Sequence, residues 1–128
     1  MGNSPALPIL TGGAEIVPRI GSLLIKPASA VCNLDCAYCF YLDREADPYQ
    51  SLPARAMSEE TLERLVETFL FYSYPRSVFA FQGGEPTLAG LPFFEKLVAF
   101  EQRHGRGGHS ISNSLQTNGV LIDSDWCA

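Results

Sequence analysis

No apolar run in this 128-residue sequence approaches the roughly 18 residues that a membrane span requires. The opening MGNSPALPILTGGAE lacks a basic region leading into an apolar core, and Ala6 stands where a myristoylation pattern would need Ser or Thr. Neither a secretory signal nor a lipid anchor is expected. Nine basic and fourteen acidic side chains give a net charge of −5, and neither sign gathers into a block. That balance argues against nucleic acid or an anionic membrane as the main partner. Cysteine is scarce as well, with four in the chain. The expected location is cytoplasmic, where clustered thiols serve as metal ligands or catalytic groups rather than disulfides.

Enough apolar residues are present, 46%, to build the core of one small domain. Residues 1–21, rich in Pro, Gly and Ser as far as Ala14, are expected to form a loose N-terminal arm ahead of a core at 22–128. SLLIKP (Ser22 to Pro27) suits a buried strand closed by proline. From Ser58 the pattern turns helical. Ser58 can cap, Glu59 and Glu60 fill the first turn, and Leu62, Leu65, Val66, Phe69 and Leu70 share one face. Tyr74-Pro75 ends that helix, and SVFAFQ (Ser77 to Gln82) reads as a second buried strand. Pro92 then opens a second helix running to about Arg103, and a third strand is expected within Ser110 to Thr117. Asp123, Ser124 and Asp125 look like another helix start. Such alternation predicts an α/β fold of parallel strands. At roughly 30 residues per strand-helix unit, the sequence holds about three units of a larger barrel. It is therefore expected to be a fragment.

Chemistry in parallel α/β barrels gathers in the loops leaving the carboxyl ends of the strands. VCNLDCAYCFY (Val31 to Tyr41) occupies the first such loop and packs Cys32, Cys36 and Cys39 into eight residues. Gly83-Gly84-Glu85-Pro86 fills the second loop, and Gln116-Thr117-Asn118-Gly119 closes the third strand at the same rim. Three soft thiolates at spacings of four and three suit iron-sulfur or zinc. A four-iron cubane normally takes four cysteines, so three would leave one iron open to an outside ligand. Two other readings stand beside this one: structural zinc with Cys127 as fourth ligand, or three unligated core cysteines. Cys127 falls on no motif and is read as a free thiol.

Cys32-x-x-x-Cys36-x-Tyr38-Cys39 resembles the signature of radical S-adenosylmethionine (radical SAM) enzymes, and Gly83-Gly84-Glu85-Pro86 resembles the second hallmark of that family. Within it, KPASAVCNLDCAYCFYLDRE, FAFQGGEPTLAGLPFFEKL and LQTNGVLID are most similar to the anaerobic sulfatase-maturating enzymes. The resemblance implies the N-terminal portion of a partial (β/α)6 barrel. It also implies a 4Fe-4S cluster on Cys32, Cys36 and Cys39, with S-adenosylmethionine on the open iron. Tyr38 would lie near the adenine. Gly83 and Gly84, lacking side chains, would let the ligand approach closely, and Glu85 would accept from the methionine ammonium. The implied reaction is reductive cleavage to a 5′-deoxyadenosyl radical, then oxidation of a sulfatase cysteine or serine to Cα-formylglycine without oxygen. The implied partners are the sulfatase polypeptide and an electron donor such as flavodoxin or ferredoxin. Later strands, auxiliary clusters and a base would come from sequence beyond this chain. The alternatives are a maturase of a ribosomal precursor peptide and a non-catalytic iron-sulfur or zinc-binding remnant.

Several residues are expected to be ordinary. His104 and His109 flank a GRGG surface turn and are read as solvated. Tyr72, Tyr74 and the helical phenylalanines suit core and edge packing. Phe40 and Tyr41 could pack under a cluster or shield it, and Gln82, Gln116 and Asn118 could touch a ligand or cap their loops.

Overall fold

The computed structural model describes residues 19–41 and 56–127; residues 1–18 of the expected arm lie outside the described residues. Its elements alternate as β1 (Ser22–Ile25), α1 (Glu59–Ser73), β2 (Arg76–Phe81), α2 (Leu91–His104) and β3 (Ser110–Leu115), with 3-10 turns at Pro86–Ala89 and Ser124–Cys127. All three strands are parallel, in the order β1-β2-β3. The expected helix start at Asp123 is realised as the second 3-10 turn, where Asp123 Oδ1 accepts from the Asp125 N–H at 3.0 Å.

Local signals explain both helices. Ser58 is extended and its Oγ accepts from the Thr61 N–H at 3.2 Å, so the first turn of α1 has a side-chain cap. Pro92 occupies the first turn of α2, where no amide hydrogen is needed. Leu62, Val66, Phe69 and Leu70 from α1 meet Leu97 and Phe100 from α2, and all six join Ile25, Phe79 and Phe81 in one core. Aromatic edges lock the layers: Phe69 meets Phe79 at 5.0 Å between ring centroids, and Phe81 meets Phe94 at 5.4 Å.

Strand alternation divides the sheet into two unlike faces. Ser77, Phe79 and Phe81 are buried beneath the helices, whereas Val78 and Ala80 point the other way. In register with Ala80 stand Leu24 and Ser114, and Leu24 is 61% exposed. The helices thus cover one face, leaving the other open among the described residues.

Both histidines differ from the solvated reading. His104 Nε2 lies 3.3 Å from Glu63 Oε1, which also receives Arg103 Nη1 at 2.6 Å, so α1 and α2 are bridged by charge. His104 and then Arg103 hold the Glu63 carboxyl below the usual range. His109 Nε2 lies 2.7 Å from Ser77 Oγ, and its ring sits edge-on to Tyr74 at 5.3 Å. Burial, then the Arg106 charge, pushes its pKa down. Each histidine finds a polar partner on a neighbouring element: His104 at the end of α2 meets Glu63 of α1, and His109 entering β3 meets Ser77 of β2. Glycine-rich 105–108 does form a turn, with Gly107 and Gly108 exposed and Gly108 at φ 77°. Tyr72 and Phe71 remain exposed at the edge of α1.

Among the described residues, no helix is long and apolar enough to cross a membrane.

Candidate cofactor site

The three loops leaving the carboxyl ends of β1, β2 and β3 are tied to one another pairwise. Backbone bonds join the first two, because Ser29 O accepts the Gly84 N–H at 3.0 Å and Val31 O accepts the Glu85 N–H at 2.8 Å. Ser29 takes a left-handed φ of 55°, uncommon for a residue with a side chain. The contact is close. A Cβ on Gly84 would stand 2.0 Å from Val31 O, and one on Gly83 would stand 2.6 Å from Ser29 O. Gly83 also has a φ of 130°, open chiefly to glycine. The backbone leading into Cys32 approaches both glycines closely.

Glu85 joins the second loop to the third. The residue is 1% exposed. Oε1 accepts from the Thr87 N–H at 3.0 Å, Thr87 Oγ1 at 2.6 Å and Thr117 Oγ1 at 2.6 Å, while Oε2 accepts from the Asn118 N–H at 2.8 Å. Burial alone would raise its pKa. The bonds from Asn118, Thr117 and Thr87 outweigh that and hold it below the ordinary value. One carboxylate thus joins the second and third loops.

Asn118 completes the triangle by reaching the first loop. Its Nδ2 donates to Asn33 Oδ1 at 2.8 Å and lies 3.8 Å from Cys32 Sγ, while its Oδ1 accepts the Val120 N–H at 3.0 Å. It both caps its loop and touches the cysteine segment. Thr87 and Asn33 were not singled out from sequence, and Thr117 was read only as a member of the Gln116-Thr117-Asn118-Gly119 loop. Their signal was present only as hydroxyls and an amide near loop ends, too common a pattern to read without the fold.

All four described cysteines are free, with Cys32, Cys36 and Cys39 half-buried and Cys127 exposed. A tight turn brings two of the motif together, Cys36 O accepting the Cys39 N–H at 2.9 Å, and Cys32 Sγ accepts the Leu34 N–H at 3.4 Å. Among the described residues, no three Cys, His, Asp or Glu side chains stand close enough to hold a metal ion as they are. A thiol loses its proton on binding a metal, so metal binding and final ligand placement are coupled. The donor set itself fits an iron-sulfur cluster: three soft sulfurs in one short loop, with amide N–H groups aimed at one of them.

Aromatic residues of this loop divide sharply. Tyr38 is 91% exposed, and Phe40 is also exposed. Tyr41 is half-buried, its ring tilted 35° against that of Phe40 at 4.1 Å between centroids, with Lys26 Nζ 5.0 Å from its ring centroid. Of the two aromatics, Tyr41 is the one that packs, against Phe40 and Lys26.

A cysteine-type anaerobic sulfatase-maturating enzyme of Clostridium perfringens is 51% identical over 105 residues, covering 82% of this chain and 28% of the relative. A serine-type anaerobic sulfatase-maturating enzyme of Bacteroides thetaiotaomicron is 37% identical over 106 residues, covering 82% of this chain and 25% of that enzyme. Among solved structures, native anSMEcpe with bound AdoMet and Cp18Cys peptide superposes with a TM-score of 0.70 at 50% identity, over 82% of this chain and 26% of that one. The chain thus spans about 28% or less of the length of these relatives. Three parallel strands and two helices correspond to part of their fold. The model of the Radical SAM superfamily matches residues 27–128, which takes in all three loops, and the chain belongs to that superfamily.

Proposed function

We propose that this chain is the cluster-binding and S-adenosylmethionine-binding portion of an anaerobic sulfatase-maturating enzyme. The observation that carries the reading is the joining of the cysteine loop, the Gly83-Glu85 loop and the Thr117-Asn118 loop at one rim, in a sequence 51% identical to a cysteine-type member. Cys32, Cys36 and Cys39 would hold a 4Fe-4S cluster whose fourth iron is left for S-adenosylmethionine. When bound, that pair supplies one-electron cleavage of the sulfonium to a 5′-deoxyadenosyl radical.

The protein residues then have positional work. Gly83, Gly84 and Glu85 form the wall beside the methionine portion, and Tyr38 offers an open aromatic face to the adenine. The open face of the sheet, with Leu24, Ala80 and Ser114, borders the space in which a polypeptide substrate would be presented. That substrate is a sulfatase segment whose cysteine or serine becomes Cα-formylglycine, and flavodoxin or ferredoxin would deliver the electron. Because the chain spans about a quarter of its relatives, the reading treats it as the N-terminal part of a longer enzyme, inactive on its own.

The test is anaerobic incubation of the intact protein carrying this sequence with S-adenosylmethionine, reductant and a sulfatase-motif peptide. The expected products are 5′-deoxyadenosine and a peptide whose mass has fallen by conversion to the aldehyde. 5′-Deoxyadenosine with every sulfatase peptide, cysteine or serine, left unaltered would contradict the substrate assignment.

A further inference from the structure

We propose that Asn118 is a positioning residue that sets the reduction potential of the iron-sulfur centre through the Cys32 sulfur, and that Glu85 is the clamp that holds it there. The proposal rests on the reading that Cys32, Cys36 and Cys39 carry that centre.

The Asn118 amide has one orientation that its surroundings accept. Oδ1 takes the Val120 N–H and Nδ2 gives a hydrogen to Asn33 Oδ1. Turning the amide over would set oxygen against oxygen and N–H against N–H. With one Nδ2 hydrogen on Asn33, the other is left for Cys32 Sγ at 3.8 Å. The Leu34 N–H already points at the same sulfur from within the loop. Asn118 is a donor that arrives from a different loop, the one after β3, 86 residues away in sequence.

Glu85 determines where that donor stands. Its Oε2 accepts the Asn118 backbone N–H and its Oε1 accepts the neighbouring Thr117 hydroxyl, so two consecutive residues of the third loop hang on one buried carboxylate. Thr117 Oγ1 in turn accepts the Gly119 N–H at 3.0 Å, which closes the turn around Asn118. Four donors converge on the carboxylate of Glu85, a residue with 1% exposure, three of them on Oε1 and one on Oε2. Its effect on the cofactor passes through the loop it secures.

An N–H aimed at a cluster sulfur favours the state with more negative charge, which is the reduced one. Losing the donor should make the cluster harder to reduce. Aspartate at 118 keeps the shape but puts a carboxylate oxygen where the N–H was, and should act in the same direction more strongly.

The experiment is a potentiometric titration of the anaerobically reconstituted intact protein, followed by electron paramagnetic resonance without S-adenosylmethionine. Asn118→Ala is expected to disfavour reduction about tenfold, which is about 59 mV for one electron, and Asn118→Asp to exceed it. Glu85→Gln should shift the potential in the same direction, and adding Asn118→Ala to it should produce little more, since both act through one contact. Should Asn118→Ala lose iron, Asn118→Ser, which keeps a short donor, is expected to retain the cluster at an intermediate potential. A normal cluster with an unchanged potential in the Asn118 variants would overturn the inference while leaving the cluster assignment standing. Failure of the unsubstituted protein to take up a cluster would overturn both.

Discussion

Gly84 and Val31 are packed so tightly that a Cβ on the glycine would stand 2.0 Å from the Val31 carbonyl oxygen. Val31 is followed at once by Cys32, so this contact fixes the entry of the chain into the cysteine loop. Any side chain at position 84 must push that segment away. Gly84→Val is therefore expected to reduce iron incorporation by more than half, and not only to weaken S-adenosylmethionine binding. Iron and sulfide assays after reconstitution check this; full iron and sulfide loading of the variant would contradict the claim that this contact fixes the cysteine loop.

Tyr38 gives the opposite pattern. With 91% of its surface open it contributes little to the fold. Tyr38→Ala should change unfolding free energy by less than about 0.5 kcal/mol, yet lower S-adenosylmethionine affinity several-fold if the ring faces adenine. Equilibrium dialysis with labelled ligand, paired with a denaturant curve, separates the two effects.

Glu101 introduces a pH dependence of known sign. This buried carboxyl, 7% exposed, accepts from Asn113 Nδ2 at 3.0 Å through Oε2, while Oε1 has no partner among the described residues. Burial raises its pKa, and the Asn113 bond offsets that in part. A carboxyl raised in the folded state stabilises fully below its unfolded pKa, and the contribution is lost as pH rises through the folded value. Stability attributable to Glu101 thus falls on going from about pH 4 towards neutrality. Glu101→Gln should flatten this part of the profile and raise stability near pH 7 by about 1 kcal/mol, as read from urea midpoints across pH.

His109 acts in the opposite direction. Its lowered pKa means that the folded state favours the neutral ring, so stability is lost as pH falls below the ordinary histidine value of 6.5. A proton NMR titration should place the His109 midpoint below 6.5; a midpoint above it would contradict the packing against Ser77 and Tyr74.

The helices were legible in the sequence because Ser58 and Pro92 are local signals, and Leu62, Val66, Phe69 and Leu70 repeat with the helical period. Strands β1, β2 and β3 could be read from short runs bounded by Pro27, Gly83 and Gly119. Cys32, Cys36 and Cys39 announced themselves through spacing alone. What stayed hidden depends on pairs distant in sequence. Nothing local says that His109 meets Ser77, that Gly84 abuts Val31, or that Glu85 secures Thr117 and Asn118. Each of those contacts exists only once parallel strands bring loop ends to a common rim.

The central claim is that Cys32, Cys36 and Cys39, without Cys127, hold a four-iron cluster with one iron left for a ligand. Its most direct test is iron and sulfide stoichiometry with electron paramagnetic resonance of the reduced protein, before and after adding S-adenosylmethionine, in Cys36→Ala and Cys127→Ala beside the unsubstituted chain. The account predicts that Cys36→Ala abolishes the cluster signal from this site and that Cys127→Ala leaves it intact, its spectrum changing on ligand addition. Tight binding of a single zinc that disappears with Cys127→Ala would contradict it.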